Sequence, residues 1–455
     1  LSRCFTIRSM KNKKHQYRKD GLKRLALSVL LLTMLTLTAC ESLPFDLDLP
    51  WALPTSVVPE STEEPEQDLT PSPENETELT ETPALPPSKL ILWLPPAFDP
   101  NNESEAGTIL QEKLNLFAYE NKIEIIVRVK SQTGAGSLTD ALTAAKAAVP
   151  EVLPDLIALS APELQLAAER DLIYPHEALT QLLDENDWYP FGHQLSEADD
   201  LIVAVPAIGD SLSLVYDSVY PFIPSDDWTN VKGNYGYFAF AADDPQGKFL
   251  LLLYMAVGGE VMDGQGYALL QEEPLIEALQ ILKDGRNARH ISSLSLGFQN
   301  ESQPWQSFLD RALNTAVVPV SLVLTGLDES KDQPDPALTQ PDFSLGTGSA
   351  WALGSPDPAR QELALKLLSQ LSETEFLARW SEAMGKLPAR PSALGYWTHP
   401  TLKPALEVIA QNVELYPPED ILNKLGPILR NATLLILRDN ASVSETARLA
   451  VESVK

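Results

Sequence analysis

The chain has 455 residues and a formal net charge of −29, with 34 Lys and Arg against 63 Asp and Glu. A surface this acidic repels nucleic acid and anionic lipid headgroups, so we exclude a nucleic-acid-binding function. Its two cysteines, Cys4 and Cys40, cannot support a disulfide-rich mini-domain or a thiolate zinc site. We expect no cofactor and no metal.

The first 39 residues have the pattern of a secretory signal peptide. Nine Lys and Arg residues, opposed by Asp20 alone, precede about fifteen mostly apolar residues at Leu25–Ala39. That apolar run is shorter than the roughly 20 residues needed to span a membrane. We predict a cleavable signal over residues 1–39, starting at Leu1 or at Met10, with an uncleaved anchor as the alternative.

Residues 40–88 have a different composition. Glu41–Ser88 is dominated by Pro, Glu, Thr and Ser, with 12 acidic residues and no Lys or Arg. Such a segment cannot bury enough apolar surface to become ordered, and proline and like charges extend it. We predict a disordered linker.

From Lys89 to Lys455 the composition is globular, and about 365 residues exceed what one hydrophobic core usually supports. The first part alternates strands with helices, which predicts a parallel sheet with helices on both faces. The predicted strands are Leu90–Leu94, Ile123–Val129 and Asp155–Leu159, and the predicted helices are Thr108–Tyr119, Ser137–Ala148 and Pro162–Glu169.

A second region follows, with a polar, Pro-rich break at Asp328–Pro341. No repeat of 20–50 residues is present, which excludes a solenoid. The predicted strands are Ile202–Val205, Leu212–Tyr216, Ala316–Leu324 and Ser349–Leu353, and the predicted helices are Lys248–Val257, Leu275–Lys283, Asp357–Leu371, Glu373–Met384, Pro404–Gln411, Pro418–Arg430 and Ser442–Val454.

Several short motifs occur in order along this globular part. They are Leu90–Trp93, Pro154–Leu159 with Asp171–Ile173, Val205-Pro206 with Leu212–Asp217, Pro224 with Trp228, Phe249–Gly259, and Asp357–Arg360 through Trp380 to Gly385–Arg390. In this order they resemble the extracellular solute-binding proteins of sugar-type ABC importers, the family that includes maltose-binding protein. The resemblance spans essentially all of Lys89–Lys455.

The resemblance implies an α/β, two-lobe, periplasmic-binding-protein-like (type II) fold with hinge strands and an interlobe cleft. We expect lobe 1 over residues 89–206 and 343–388, and lobe 2 over residues 207–342 and 389–455. The implied function is that of a monomeric receptor, not an enzyme, which delivers a small solute to the permease subunits of an ABC transporter. We expect the solute to be a carbohydrate.

The end of the signal also resembles a known pattern. Leu37-Thr38-Ala39-Cys40 is similar to the bacterial lipobox. This resemblance implies a lipidated Cys40, with palmitate-type acyl chains that hold the protein on the extracytoplasmic face of the cell membrane.

Two departures from the family support an alternative function. The helix expected after Trp228 is shortened, and Ala316–Leu324 lacks the aromatic residue that often stacks on sugars there. The alternative is a non-transporting sensor or envelope interaction protein with the same fold. A surface hydrolase has no supporting motif, because G-x-S-x-G, P-loop and H-E-x-x-H patterns are all missing from the sequence.

Candidate ligand-binding residues follow from the rule that ligands of open sheets bind beyond the carboxyl ends of strands. Trp93, Ser160, Asp210 and Trp351 lie in or just after predicted strands. Trp93 and Trp351 face either the cleft or the core, and Asp210 either accepts ligand hydroxyls or forms a turn. Ser349 precedes Trp351 in a Gly-rich stretch.

The family resemblance adds three candidates. Gln246, Lys248 and Phe249 match the start of the second-lobe helix that lines the family's cleft. Gln246 and Lys248 could equally be capping or surface residues at the start of a helix, without contact to a ligand. Trp380 belongs to an amphipathic helix, which predicts a core position.

Overall fold

A computed structural model of the chain describes residues 88–454, apart from 133, 135, 149–151, 184–185, 199, 222, 231–237 and 327–332. The predicted signal peptide, Cys40 and the predicted linker up to residue 87 lie outside the described residues. Within the described part, no helix has both the length and the apolar character required to cross a membrane.

The first sheet region is parallel, as its sequence pattern predicts. Strand β1 (Lys89–Leu94) lies between β2 (Glu124–Val129) and β3 (Leu156–Ser160), and both pairings are parallel. Helices α1 (Glu105–Asn121) and α2 (Leu138–Ala148) connect these strands. Five of the six β1 residues are buried, which is typical of a parallel strand covered on both faces.

Two long antiparallel strands extend this sheet. Strand β6 (Ala204–Asp217) pairs with β10 (Ser344–Leu353), and β10 pairs on its other edge with β3. The whole sheet is therefore mixed, with strand order β2-β1-β3-β10-β6-β8-β7, where β8 is Thr315–Pro319 and β7 is Phe238–Ala239. The prediction of two short strands, Ile202–Val205 and Leu212–Tyr216, is wrong because the residues between them also pair with β10.

The apolar run Ala316–Leu324 is not one strand. Strand β8 (Thr315–Pro319) ends at Pro319, whose backbone has no N–H to donate to the sheet, and a short helix Val320–Thr325 follows. The shorter strands are β4 (Glu197–Ala198), β5 (Leu201–Ile202), β7 (Phe238–Ala239), β9 (Pro336–Leu338), β11 (Leu387–Pro388) and β12 (Val413–Leu415).

Most of the other predicted helices begin and end within four residues of the predicted bounds, but the helix predicted over Pro418–Arg430 continues seven residues further, to Leu437. In chain order, α3 is Ala161–Glu169, α4 Glu177–Leu183, α5 Pro190–Ser196, α6 Lys248–Ala256, α7 Glu272–Asn287, α8 Ser302–Leu309, α9 Val320–Thr325, α10 Pro358–Leu371, α11 Thr374–Met384, α12 Pro391–Gly395, α13 Lys403–Gln411, α14 Glu419–Leu437 and α15 Val443–Val454. Helices α4, α5, α8 and α12 were not predicted, because five to eight residues are too few to establish a helical period.

The buried apolar side chains form two clusters. The first cluster contains β1 and β3 together with α10 and α11, with partly buried side chains of β2 packed against it. The second contains α6, α7, α14 and α15. The mixed sheet with its two clusters has the architecture of the predicted two-lobe fold. Helices α12 and α13 pack into the first cluster, although the expected boundary at residue 389 assigned them to the second lobe.

A buried ion pair between Asp155 and Arg360 connects β1, the segment before β3 and α10 within the first cluster. The Asp155 carboxylate, 0% exposed, accepts the Ile91 N–H at 2.6 Å and pairs with Arg360. Arg360 also donates to the Leu153 carbonyl oxygen at 2.7 Å. Burial raises the pKa of Asp155 above its ordinary value, and the Ile91 N–H and Arg360 offset this only in part.

We predict that Arg360→Met lowers the free energy of unfolding by about 3 kcal/mol at pH 7, because it leaves a buried carboxylate unpaired. The pKa of Asp155 is already raised in the folded state, so its protonated form stabilises the fold at low pH and this stabilisation is lost as the pH rises. The deficit of the variant should therefore shrink as the pH falls. Urea unfolding from pH 4 to 7 measures both effects.

The matched control is Arg379→Met on α11, whose side chain is exposed. It should leave the unfolding midpoint unchanged. An equal loss of stability in both variants would contradict a specific role for the buried pair.

Candidate functional site

Three adjoining cavities of about 360, 250 and 110 Å³ meet at Thr347 on β10. We call them together the cleft. A larger cavity of about 530 Å³ lies elsewhere, lined by residues 286–296 and Leu437 alone. We place the site in the cleft because its lining combines strand ends of the first cluster with helix starts of the second.

The first wall of the cleft is made by the carboxyl ends of the three parallel strands. Pro95 and Phe98 follow β1, Gln132 follows β2, and Ser160 ends β3. This is the edge at which open α/β sheets bind ligands. Ser160 lies at the carboxyl end of its strand and lines the cleft, as its position in the sequence predicted.

Ser160 and Glu163 form a capping box at the start of α3. The backbone N–H and the hydroxyl of Ser160 donate to Glu163 Oε2 at 2.9 and 2.6 Å. Gln132 Nε2 donates to the same oxygen at 3.3 Å. Glu163 is thus held between two strand ends, and its side chain lines the largest cavity of the cleft.

The second wall is the start of α6. Gln246 and Lys248 line the cleft there, and Asp244 accepts their backbone N–H groups at 3.1 Å each. Gly247 between them has φ +58°, and a Cβ at this position would lie 2.9 Å from the Gly426 carbonyl oxygen of α14. The glycine therefore permits the close helix approach that positions Gln246 and Lys248.

Charged groups of the second wall are paired. Lys248 Nζ lies 2.8 Å from Glu301 Oε1. Burial raises the pKa of Asp244, an effect that the positive charge of Lys248 and the two N–H donors only partly offset. Lys248 is thus held in place by Asp244 at its backbone N–H and by Glu301 at its side chain.

Asp210 lies on β6 and lines the cleft, but its carboxylate is fully used by the protein. Its Oδ2 accepts from the Ser321 hydroxyl and from Lys386 Nζ, both at 2.5 Å. Its Oδ1 accepts the backbone N–H groups of Ser211 and Ser321 at 2.9 and 3.1 Å. Asp210 therefore joins β6, α9 and the end of α11, and has little capacity left for a ligand hydroxyl.

Tyr416 is an aromatic residue of the cleft that the sequence pattern did not reveal. It follows β12, donates its backbone N–H to the Gly346 carbonyl oxygen at 2.8 Å, and lines two of the cavities. Burial, together with the charges of Glu301, Asp244 and Asp210, raises its pKa well above the ordinary value. Its hydroxyl therefore stays protonated. The only sequence signal was an aromatic directly before Pro417-Pro418.

The predicted aromatic candidates lie in the core. Trp93 is 3% exposed and Trp351 1% exposed, and neither lines the cleft. Trp351 packs against Phe98 and Trp380, with ring centroids 5.5 and 6.2 Å away, so the core position predicted for Trp380 is confirmed. Phe249 packs against Phe240 at 4.1 Å within the second cluster. Ser349 is half-buried and lines the 250 Å³ cavity.

Comparison with known proteins gives matches at the level of structure. No family model matches the sequence, and no curated protein matches it. The cyclic α-maltosyl-1,6-maltose-binding protein of Arthrobacter globiformis superposes with a TM-score of 0.63 at 17% identity, over 81% of this chain and 98% of that one. The chain has the fold of the maltose-binding proteins. The fold implied by the sequence motifs is confirmed.

Two further structures show the same fold. The extracellular solute-binding protein of Staphylococcus aureus in complex with maltose gives a TM-score of 0.64 at 13% identity, with 81% and 97% of the two chains covered. The maltotriose-binding protein of Thermus thermophilus gives 0.55 at 15% identity, with 80% and 98% covered. At these identities the likeness establishes the fold alone.

The close contact between β10 and β6 generates a prediction about Gly346. A Cβ at this position would lie 2.1 Å from the Asp210 carbonyl oxygen and 2.7 Å from Val413. Gly346→Ala should lower the free energy of unfolding by about 2 kcal/mol, because the crossing strands would have to separate. Thermal unfolding measures it, with Gly264→Ala as control because nothing lies within 4 Å of its added methyl group. Equal effects would show that the strand contact is not tight.

Proposed function

We propose that the protein is an extracytoplasmic solute-binding receptor of an ABC importer and that its solute is a carbohydrate. The observation that carries the proposal is the cleft itself, because one wall comes from the strand ends of the first cluster and the other from helix starts of the second. The largest of its cavities, about 360 Å³, falls in the range of small-molecule sites.

The cleft contains the chemistry that a sugar requires. Tyr416 offers an aromatic ring against which the C–H face of a pyranose could pack. Gln132, Gln246 and Thr347 offer amide and hydroxyl groups that can both donate and accept hydrogen bonds. This mixture of one ring and several polar groups suits a polyhydroxylated solute better than an apolar one.

Binding would couple the two lobes through the crossing strands. A solute that contacts Ser160 on one wall and Gln246 on the other gains most when the walls approach each other, which favours a closed conformation. Hinge strands such as β6 and β10 can absorb such a motion in a few residues. The permease would then recognise the closed form.

We propose lobe boundaries that keep the sequence expectation and change it at one place. Lobe 1 comprises 89–206 and 343–388 as expected from the sequence, and we add α12 and α13 because they pack into the first cluster. Lobe 2 comprises 207–342 and the chain from α14 onward, which contains α14 and α15 of the second cluster. Helices α8 and α9 lie within 207–342 but also pack into the first cluster, so they would lie where the two lobes join.

One of the two observations that favoured a non-transporting sensor is weakened by the structure. It rested on a missing sugar-stacking aromatic after β8, and Tyr416 brings an aromatic ring to the cleft from another element. Stimulation of the ATPase activity of a co-purified permease by the solute-loaded protein would support transport, and its absence with a saturating solute would favour the sensor.

The proposed function predicts saccharide binding that depends on Tyr416. Isothermal titration with maltose, maltotriose and other neutral oligosaccharides should identify a solute, and Tyr416→Ala should weaken its affinity about tenfold through loss of ring packing. Tyr396→Ala, at a position 60% exposed, is the control and should bind like the wild type. A wild-type protein that binds no saccharide would refute the proposal.

We further propose that Cys40 carries the lipid that anchors the receptor, with residues 41–88 as a spacer of up to about 150 Å at ~3.1 Å per residue. The supporting pattern is Leu37-Thr38-Ala39-Cys40 after a basic and apolar segment. An anchored receptor would stay near its permease while its cleft remains open to solution.

Cys40→Ser should abolish incorporation of radiolabelled palmitate and move the protein from the membrane fraction to the soluble fraction. Saccharide affinity should not change, because the mutation leaves residues 89–455 intact. Cys4→Ser is the matched control and should remain membrane-bound. Continued membrane association of the Cys40 variant would point to an uncleaved N-terminal anchor instead.

A further inference from the structure

The cavity of about 530 Å³ lies beside the second cluster and shares no lining residue with the cleft. It lies where the end of α7 meets the end of α14, and Arg286 and Leu437 are the lining residues contributed by these two helices. Its volume falls in the range of small-molecule sites, which are concave, whereas protein partners usually bind flatter surfaces. The proposed solute binding in the cleft leaves this cavity without a role.

The charges in the described lining of this cavity are all positive. The lining contains Arg286 and Arg289 and no acidic residue, although the chain has 63 Asp and Glu against 34 Lys and Arg. Asp439, which follows the Leu437 lining position by two residues, is already paired with Arg438 at 3.1 Å. In so acidic a chain, a cavity with this lining is a local site of attraction for an anion.

The guanidinium group of Arg286 is oriented by the protein. Its Nε donates to the Leu437 carbonyl oxygen at 2.7 Å, and its Nη1 donates to Asn287 Oδ1 at 3.4 Å. Its Nη2 makes no hydrogen bond to the described part of the chain. Arg286 thus keeps donors for an anion in a fixed direction, and such a planar, oriented fork binds oxyanions well.

The side chain of Arg289 is exposed and has no hydrogen-bond or ion-pair partner among the described residues. Its backbone belongs to a Schellman motif that ends α7, in which Arg289 N–H donates to the Arg286 carbonyl oxygen at 3.1 Å and His290 N–H donates to that of Gly285 at 2.9 Å. The φ of Arg289 is +59°, a conformation that glycine ordinarily supplies at this position. An unpaired charge therefore lines the cavity from a position where the backbone favours glycine.

Hydroxyl groups and apolar side chains complete the lining. Ser292 is 8% exposed, and its hydroxyl accepts the Leu294 N–H at 3.3 Å but donates its own proton to no described residue. Ser293 beside it is exposed. Ile291 and Leu437 are buried and apolar. The cavity therefore combines positive charge and hydrogen-bond donors with an apolar surface.

We propose that this cavity is a second ligand site, which takes a small organic phosphate, that is, a phosphate monoester of an apolar group. Two guanidinium groups balance the charge of a phosphate dianion, and their N–H groups and the serine hydroxyls are the donors that its terminal oxygens require. A carboxylate has one charge and two oxygens, and so it uses fewer of these groups. The apolar side chains would contact the organic group. This site is additional to the proposed saccharide cleft.

The test is isothermal titration of the full-length protein at pH 8 in a Tris buffer free of other oxyanions. The probe is phenyl phosphate, which should bind with a dissociation constant of about 0.1 mM. Inorganic phosphate lacks the ring and benzoate has a single charge, so each should bind about tenfold more weakly. Benzyl alcohol keeps the ring without a charge and should not bind measurably.

Arg289→Gly removes one of the two charges at a position whose backbone conformation favours glycine. The variant should fold, with a midpoint of thermal unfolding about 2 °C higher than that of the wild type. Its affinity for phenyl phosphate should fall about tenfold through loss of a charge-assisted contact. Arg379→Gln removes an exposed charge on α11, away from the cavity, and is the control that should bind like the wild type.

Ser293→Asp is a second variant with little risk of misfolding. Ser293 is exposed and begins a short 3₁₀ helix, where an acidic residue is well tolerated. The added negative charge in the lining should weaken phenyl phosphate binding about tenfold and leave benzyl alcohol without binding.

A wild-type protein that does not bind phenyl phosphate would overturn the inference. Unchanged affinity in the folded Arg289→Gly and Ser293→Asp variants would also overturn it, because the phosphate would then bind elsewhere on the protein. Equal affinities for phenyl phosphate and inorganic phosphate would show an adventitious ion only.

Discussion

Strands β6 and β10 run antiparallel between the two hydrophobic clusters, and their pairing positions the first wall and the floor of the cleft. Strand β10 pairs on one side with β3, which ends at Ser160, and on the other with β6, which continues to β8 in the second cluster. Tyr416 is held by the Gly346 carbonyl oxygen of the same strand. Because Gly346 has no side chain, β10, β6 and β12 can come close enough together to form this floor.

Most charged side chains of the cleft form ion pairs, and these pairs are partly buried. Both lysines are paired with carboxylates, and Asp210 uses its oxygens to connect β6 with α9 and Lys386. Such pairs fix side-chain positions in advance, which would lower the entropy cost of binding the proposed solute. The groups that would remain for the proposed solute are the Tyr416 ring, neutral amides and hydroxyls, and the carboxylate of Glu419.

Local patterns identified some site residues and misjudged others for a definite physical reason. Ser160, Gln246 and Lys248 line the cleft because they begin or end elements whose position along the chain is locally encoded. Trp93 and Trp351 failed as cleft candidates because alternation along a strand shows which residues share a face. It does not show which face another layer covers. Asp210 reaches the cleft, but its partners Ser321 and Lys386 lie 111 and 176 residues away.

The sequence by itself determined the parallel start of the sheet, most of the longer helices and the order of motifs that implied the fold. These features depend on side-chain periods and on neighbours within a few residues. It also contains the basic and apolar N-terminal segment, the lipobox-like motif and the acidic segment, from which anchoring is proposed. Only the tertiary structure decided which residues share the cleft, because Gln132, Glu163 and Tyr416 meet through strand pairings between distant segments. No local pattern records such a meeting, since contacts between distant segments depend on how whole elements pack.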